Sequence, residues 1–178
     1  MKKQLIAAAA AITGLTFAVA PTVDAMGKPG PDDIVTIAVE NGNFTTLVAA
    51  VGCADPAVGA ALTSGDKYTV FAPTDAAFMA TLGVDADSVC TIPQDLLTTV
   101  LLYHVTEGRR FSNSVVPRNM VPRTIETLSG IPFQVENDLG IIDGNDTTEP
   151  SIVADLANIN ASNGVIHVVD QVLLPVNL

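Results

Sequence analysis

The sequence predicts an α+β domain, with helices in the first half of the chain and strands in the second. Apolar residues recur at helical spacing between residues 34 and 62 and again between residues 96 and 101, whereas short β-branched runs separated by turn residues dominate after residue 123. The two kinds of segment are not interleaved, as a parallel βαβ sheet would require. Neither an internal repeat nor a domain boundary interrupts the pattern.

The first 25 residues have the pattern of a secretory signal peptide. A basic start, Met1–Lys3, precedes the 16-residue apolar run Leu5–Ala20, and small residues surround the expected cleavage point after Ala25. The run is shorter than the roughly 20 residues that span a membrane, so an uncleaved anchor is the less favoured alternative. We therefore expect an exported protein, periplasmic or extracellular, with a flexible leader over residues 26–31, a domain over residues 32–176 and no stable membrane insertion.

The charge of the chain is strongly one-sided. Acidic residues outnumber basic residues by 19 to 8, which gives a formal net charge of −11. Such a surface repels the phosphates of nucleic acids and of anionic lipids. We therefore expect no nucleic-acid partner.

The two cysteines, Cys53 and Cys90, belong to a chain that is expected to be exported, and disulfides persist in that environment. A bond between them would enclose 36 residues, and it would stabilise the fold by roughly 3–4 kcal/mol through the entropy of the unfolded chain. Two free thiols are the alternative. The chain has no C-x-x-C motif, so a redox enzyme is not expected.

Helix signals follow one another before residue 63. Asp32 and Asp33 are placed to cap a first helix, Asn43 a second, and Pro56 begins a third. The apolar faces of the first two helices are formed by Ile34, Val35 and Ala38 and by Phe44, Leu47, Val48 and Val51. Both faces are expected to pack into the core.

The stretch Lys67–Phe78 organises the rest of the chain. Its alternating aromatic and β-branched residues predict a largely buried strand, and Pro73 ends that strand because proline has no N–H to give to a ladder. Thr74 is then a good N-cap, and Asp75 places a carboxylate in the first turn of the next helix, where the helix dipole favours it.

The second half of the chain carries most of the strand signals. A helix that starts at Pro93 carries Leu96, Leu97, Val100 and Leu101 on one face. It is expected to lead directly into a strand at Tyr103–Val105, and residues 109–123 are expected to be an edge or loop because two prolines interrupt them. The other predicted strands are Thr127–Gly130 and Ile131–Val135 as a hairpin, Ile141–Ile142, Ile152–Ala154, and Val165–Asp170 after a tight turn at Asn163-Gly164.

Three stretches together resemble the signature motifs of the fasciclin domain, a module of secreted and cell-surface proteins. They are Thr69–Phe78, the pair Tyr103-His104 directly after a helix, and Asn163–Pro175. The similarity runs from about Asp32 to Pro175, which is nearly the whole expected domain. The resemblance implies a β-wedge or sandwich with helices packed over one side, and a role in adhesion or extracellular binding rather than catalysis.

The resemblance also suggests site residues. In animal members of the family the Tyr-His region is linked to integrin binding, which would make Tyr103 and His104 binding residues. Their apolar neighbours favour a buried, structural role instead, and we expect His104 to form a polar cluster with Thr74 or Asp75. An aspartate used by some animal members for integrins is matched here by Asn158, so integrin recognition is not expected.

All four arginines of this acidic chain, Arg109, Arg110, Arg118 and Arg123, lie in one segment. One interpretation is a solvated edge whose charges deter strand-to-strand aggregation. The other is a basic strip that binds an acidic glycan or a cell-surface or matrix protein, because guanidinium groups grip carboxylates.

No motif for catalysis, a metal or a cofactor is present. The acidic loop of residues 143–149 does not fit an EF-hand, and two histidines with disulfide-bonded cysteines supply no zinc site. His167 shares a strand face with apolar residues and is expected to be a hydrogen-bonded core histidine. The sequence therefore predicts a non-catalytic attachment module. The alternative is a carrier of a small apolar ligand or lipid, which would need an internal cavity.

Overall fold

Two β-sheets and a group of short helices make up the fold, which the computed structural model describes over residues 30–145 and 148–175. The helices are α1 (Ile34–Asn41), α2 (Thr45–Cys53), α3 (Pro56–Thr63), α4 (Asp75–Leu82), α5 (Gln94–Tyr103) and α6 (Ser112–Val115). The strands are β1 (Tyr68–Pro73), β2 (Val105–Glu107), β3 (Arg123–Ile125), β4 (Phe133–Val135), β5 (Ile141–Ile142), β6 (Ile159–Ala161) and β7 (Gly164–Val169). The predicted α+β class is confirmed, whereas the predicted signal peptide lies outside the described residues.

The larger sheet has the strand order β2-β1-β7-β6. Its two central strands come from the first and last of the three sequence motifs, and they run parallel, with Tyr68 opposite Gly164 and Phe71 opposite His167. The outer strands β2 and β6 are antiparallel to their neighbours. The two motifs, nearly 100 residues apart in the chain, are thus one structural unit.

The smaller sheet, β3-β4-β5, is antiparallel. Arg123 lies opposite Val135, and Val135 lies opposite Ile141, so these three residues mark one end of the sheet. Ile125, Phe133 and Val135 are buried, whereas Gln134 and Ile142 face solvent. One face of the smaller sheet therefore covers the core.

Strand β1 is buried on both faces, which gives the protein two cores. Val70 and Ala72 pack with the side chains of α1, α2, α3 and α5. Phe71 points the other way and meets Phe133 of the smaller sheet edge to face, with 5.0 Å between ring centroids. The helices accordingly cover one side of the larger sheet, and the smaller sheet covers the other.

Two predicted helix caps are confirmed. The carboxylate of Asp33 accepts a hydrogen bond from the Thr36 N–H at 2.7 Å, and the Thr74 hydroxyl accepts from the Ala77 N–H at 3.2 Å. The predicted cap at Asn43 is wrong, because α2 begins two residues later, at Thr45.

The first turn of α2 is capped by Asp75, which belongs to α4. Its carboxylate accepts from the Thr46 N–H at 2.7 Å and from the Thr45 hydroxyl at 2.8 Å. Burial opposes ionisation of this carboxyl, but the hydrogen bonds from Thr46 and Thr45 outweigh it and lower the pKa of Asp75. One side chain therefore fastens two helices together.

Replacing Asp75 with alanine is expected to lower the free energy of unfolding by about 2 kcal/mol, because a first-turn N–H of α2 loses its acceptor. Urea unfolding followed by circular dichroism measures the change. Asp87→Ala is the matched control, since this exposed carboxylate lies in a loop and its loss is expected to cost less than about 0.5 kcal/mol. Equal effects of the two substitutions would contradict the cap.

Several predicted strand positions in the second half are wrong. Residues Thr127–Gly130 form a turn instead of a strand, because the Thr127 hydroxyl donates to the Ile131 carbonyl at 2.7 Å and Gly130 has φ +79°. The strand that pairs with Phe133–Val135 begins at Arg123. Tyr103 and His104 end helix α5 and do not begin a strand, and only Ile152 of the predicted strand Ile152–Ala154 bridges a neighbouring strand.

The predicted disulfide between Cys53 and Cys90 is present. It joins the last residue of α2 to a 3₁₀ turn at Val89–Thr91, whose Val89 is fully buried among the helices. The bond therefore ties the helical layer to the segment that precedes α5.

Candidate functional site

His104 is an internal link between α5 and the last motif of the chain. Its side chain is 2% exposed. Nδ1–H donates to the Val100 carbonyl at 2.7 Å, and Nε2 accepts from the Leu173 N–H at 2.9 Å, which fixes a neutral tautomer. Burial, only partly offset by the bond to Val100, lowers the pKa of His104 to about 4.

The predicted polar cluster of Thr74, Asp75 and His104 does not form among the described residues. Thr74 caps its own helix, and Asp75 turns towards α2. The imidazole of His104 is already saturated by two backbone groups, so it has no capacity left for a side-chain partner.

Tyr103 is fully buried beside the smaller sheet. Its ring centroid lies 5.7 Å from that of Phe133, and its hydroxyl donates to the Pro132 carbonyl at 3.4 Å. Burial, reinforced by the negative charge of Asp143, raises the pKa of Tyr103 to about 12. Burial of both Tyr103 and His104 contradicts their assignment as residues that a partner touches.

The second histidine, His167 of β7, is also fully buried and saturated. Nε2–H donates to the Arg110 carbonyl at 2.8 Å, and Nδ1 accepts from the Asn158 N–H at 3.3 Å. This is the opposite tautomer to that of His104, and burial lowers the pKa of His167 as well. The expectation of a hydrogen-bonded core histidine is confirmed. Neither histidine is available as a general base.

Asn158 has a structural role that sequence reasoning missed. It adopts a left-handed conformation, φ +64°, which asparagine tolerates better than most residues. Its side-chain oxygen accepts from the Ser112 N–H at 2.6 Å, and its amide donates to the Ser112 hydroxyl at 2.8 Å. Asn158 thus holds the short helix α6, and with it the arginine segment, against the larger sheet.

The first two arginines of that segment are fixed on the larger sheet. Arg109 donates to the side chain of Asn160 in β6, and its guanidinium carbon lies 5.9 Å from the centroid of the Phe111 ring. Arg110 donates from Nε to the Glu107 carbonyl at 3.1 Å. Both residues are half-buried and so remain partly accessible to solvent.

The other two arginines mark the ends of a largely exposed stretch that we call the arginine tip (residues 118–123), and Arg123 begins β3 of the smaller sheet. Arg118 is exposed, and Arg123 donates to the Ser114 carbonyl from an exposed position. Between them Met120 is 88% exposed and Val121 is 65% exposed. Arg109 and Arg123 thus bond to different elements, Arg109 to β6 of the larger sheet and Arg123, the first residue of β3, to Ser114 of α6.

Two concave regions accompany these features. The first is an apolar cavity of about 70 Å³ between the helices and the larger sheet, lined by aliphatic side chains and His104. The second is an open acidic cleft of about 530 Å³ beside β5, lined by Glu136, Asp138, Asp143 and Glu149. Over residues 30–145 and 148–175, no group of three or more histidine, cysteine, aspartate or glutamate side chains is arranged to hold a metal ion.

The helices of the described chain are short. In the described part of the chain, no single helix is long and apolar enough to cross a bilayer. Together α2 and α3 reach the required length and composition, but they bend by 120° where they meet. Both helices bury apolar side chains in the core, as core helices of globular domains do.

Comparison with known proteins gives consistent matches. The family model of the fasciclin domain matches residues 42–175. Protein sll1483 of Synechocystis sp. is 39% identical over 144 residues, which cover 80% of this chain and 73% of that protein. Two proteins of Mycobacterium bovis are also similar. Immunogenic protein MPB70 is 31% identical over a match that covers 94% of this chain and 93% of that protein. Cell surface glycolipoprotein MPB83 is 30% identical over a match that covers 81% of this chain and 61% of that protein.

A solved structure shares the fold. It is the FAS1 domain pair from the insect cell adhesion molecule fasciclin I, with a TM-score of 0.57 and 19% sequence identity. The match covers 75% of this chain and 46% of that chain. At this identity the likeness concerns the fold alone.

Proposed function

Since this chain belongs to the fasciclin domain family, we propose that it is a non-catalytic binding module for attachment to a cell surface or extracellular matrix. The family is known from adhesion-related proteins, among them the insect molecule that shares the fold. Members of the family are not known as enzymes. In this chain both histidines hold backbone groups in the core, which supports a role without acid–base chemistry.

The proposal extends to where the protein acts. One relative is named a cell surface glycolipoprotein, and the first 25 residues have the pattern of a signal peptide. These two observations together support the proposal that the protein is exported to the periplasm or the cell exterior. At that location the disulfide is also chemically stable.

The observation that carries the proposal is the exposure of the arginine segment. Tyr103 and His104 are inside the protein, whereas the four arginines remain at least partly accessible. Guanidinium groups bind the carboxylates of acidic glycans and proteins through paired, charge-assisted hydrogen bonds. We therefore propose an acidic glycan or an acidic surface or matrix protein as the partner, held first of all by Arg109 and Arg110, which the larger sheet orients.

The carrier alternative is less well supported. An apolar cavity of about 150 Å³ binds a molecule as small as benzene, and the apolar cavity here measures about 70 Å³. A lipid tail would require the helices to move apart. Mass spectrometry of the protein as purified would reveal a bound lipid and would favour the carrier function.

Replacing arginines in pairs tests the attachment site. In binding to immobilised acidic glycans, matrix proteins and whole cells, Arg109→Gln with Arg110→Gln is expected to weaken attachment about tenfold or more and to reduce its dependence on salt, because two cations are removed from the contact. Arg109→Lys with Arg110→Lys is the matched control, because it keeps both positive charges at these positions, and it is expected to weaken attachment less. Attachment that survives in the quadruple variant lacking all four arginine charges would exclude the arginine segment as the site.

A further inference from the structure

Opposite charges meet at one end of the smaller sheet. Strand β3 leaves the arginine tip at Arg123, which lies opposite Val135, the last residue of β4. The chain then turns through residues 136–140 into β5, with the Glu136 N–H donating to the Gly140 carbonyl at 2.8 Å. The tip and this acidic turn, which contains Glu136 and Asp138, therefore lie side by side, because antiparallel neighbours share their ends.

The opposite charges at this end are not paired with each other. No ion pair joins an arginine of the tip to Glu136 or Asp138 in the described ranges, although the two segments lie at the same sheet end. Arg118 makes no hydrogen bond there. Arg123 donates to the Ser114 carbonyl, and Asp138 accepts from the Gly140 N–H, so both bond only to the backbone. The side chains retain most of their capacity for charged partners.

The end also carries the most exposed apolar side chains of the described chain, Met120 and Val121. They sit on a stiff support, because Pro117 is buried, Pro122 fixes its own backbone angle, and Val115 and Ile125 anchor the two sides of the tip in the core. Methionine and arginine are both enriched at protein–protein interfaces, so an exposed apolar pair flanked by arginines suits a contact surface.

We propose that the arginine tip and the acidic turn form a two-fold symmetric contact face between two copies of this chain. A two-fold axis between adjacent patches of opposite sign places each tip on the acidic turn of the other copy, so that one surface is complementary to itself. Met120 and Val121 of each copy are then covered by the other copy and removed from water.

The charge pattern favours a second copy over other occupants. A polyanion or an anionic membrane would meet Glu136 and Asp138 as well as the arginines, and the chain as a whole carries a net charge of −11. The repulsion between two such copies is screened over about 8 Å at physiological ionic strength, whereas the tip and turn charges would be in contact. The proposal goes beyond attachment, although a dimer would also present Arg109 and Arg110 twice and raise the avidity of a weak module.

Sedimentation velocity on the purified domain at 0.15 M salt tests the proposal with complementary charge reversals. Arg118→Glu with Arg123→Glu reverses the tip, and Glu136→Lys with Asn137→Lys reverses the turn while leaving the turn bond of Asp138 intact. The wild type is expected to dimerise, and each variant alone is expected to be monomeric. An equimolar mixture of the two variants is expected to form a dimer again, since both contacts then pair opposite signs.

Three further results would follow from the same contact. Met120→Ser with Val121→Ser is expected to weaken dimerisation about tenfold or more without a change of charge, and 1 M salt is expected to weaken it similarly. Glu40→Lys with Asp87→Lys, both exposed and away from the face, is expected to leave it unchanged. Circular dichroism confirms that each variant is folded.

A wild type that stays monomeric, or a mixture that does not reassemble, would overturn the dimer. A monomer that binds heparin or anionic vesicles through the tip would replace it with a polyanion site. Because dimerisation is measured without any attachment partner and the paired Arg109 and Arg110 variant leaves the tip unchanged, either proposal can fail while the other stands.

Discussion

Lowering the pH from 6.5 to 4 is expected to remove about 3 kcal/mol from the free energy of unfolding through His104 alone. In the unfolded chain this histidine titrates near 6.5, and in the folded protein burial lowers its pKa to about 4. Between pH 6.5 and pH 4 the unfolded state binds a proton that the folded state does not, so the free energy of unfolding decreases as the pH falls. Below the folded pKa both states are protonated at His104, and this residue causes no further decrease.

The geometry explains why the folded protein resists this proton. Nε2 of His104 accepts the Leu173 N–H, so a proton on Nε2 would place two donors face to face 2.9 Å apart. Protonation must therefore break the hydrogen bond between the Leu173 N–H and His104. His167 contributes in the same direction because burial lowers its pKa too, whereas the hydrogen-bonded Asp33 and Asp75 lose their contribution only below the usual aspartate range.

Urea unfolding at several pH values between 7 and 4 measures the loss, with His104→Gln as the comparison. The glutamine side chain can still accept the Leu173 N–H but does not titrate, so most of the His104 share of the pH dependence is expected to disappear. A variant whose stability falls between pH 6.5 and 4 as steeply as that of the wild type would show that His104 is not responsible.

The parts of the fold that could be predicted from the sequence depend on short-range chemistry. Thr74 caps its helix because its hydroxyl reaches an N–H three residues ahead, and Pro73 ends β1 because it lacks a donor. The disulfide follows from two cysteines in an exported chain. Each of these inferences depends only on residues that are close in the sequence or on the oxidising environment of an exported protein.

The missed features depend on contacts between distant residues. Leu173, whose N–H donates to His104, lies 69 residues further along the chain. Helix α6 was missed because its cap, Asn158, is 46 residues away from Ser112. Asp75 similarly caps a helix that precedes it by 29 residues. Local patterns carry no signal for such pairs, so the predicted cluster of Thr74, Asp75 and His104 was wrong.

The arginine segment shows the same limit for the candidate site. Four cations within 15 residues suggested one strip, but α6 separates Arg110 from Arg118, and Arg123 belongs to a strand of the smaller sheet. The acidic turn beside Arg123 comes from a strand pairing that the sequence did not place correctly. A one-sided basic surface was therefore expected, whereas the structure brings opposite charges together at the tip.

Removing the disulfide is expected to lower the free energy of unfolding by about 4 kcal/mol. The bond joins residues 37 positions apart, and the chain-entropy relation gives this value for a loop of that length. The tie matters because the helical layer is built from α1, α2 and α3, helices of eight or nine residues that are marginal on their own. Urea unfolding of Cys53→Ala with Cys90→Ala against the oxidised wild type measures the loss.

Reduced wild type provides the matched control, because it lacks the bond but keeps both side chains. It is expected to unfold at the same urea concentration as the double variant, and adding reductant to the variant should change nothing. If the bond acts on the unfolded chain, its removal also raises the urea dependence of unfolding, since a chain without the cross-link exposes more surface. A loss of stability below about 1 kcal/mol would mean instead that packing around Val89 alone holds α2 to this segment.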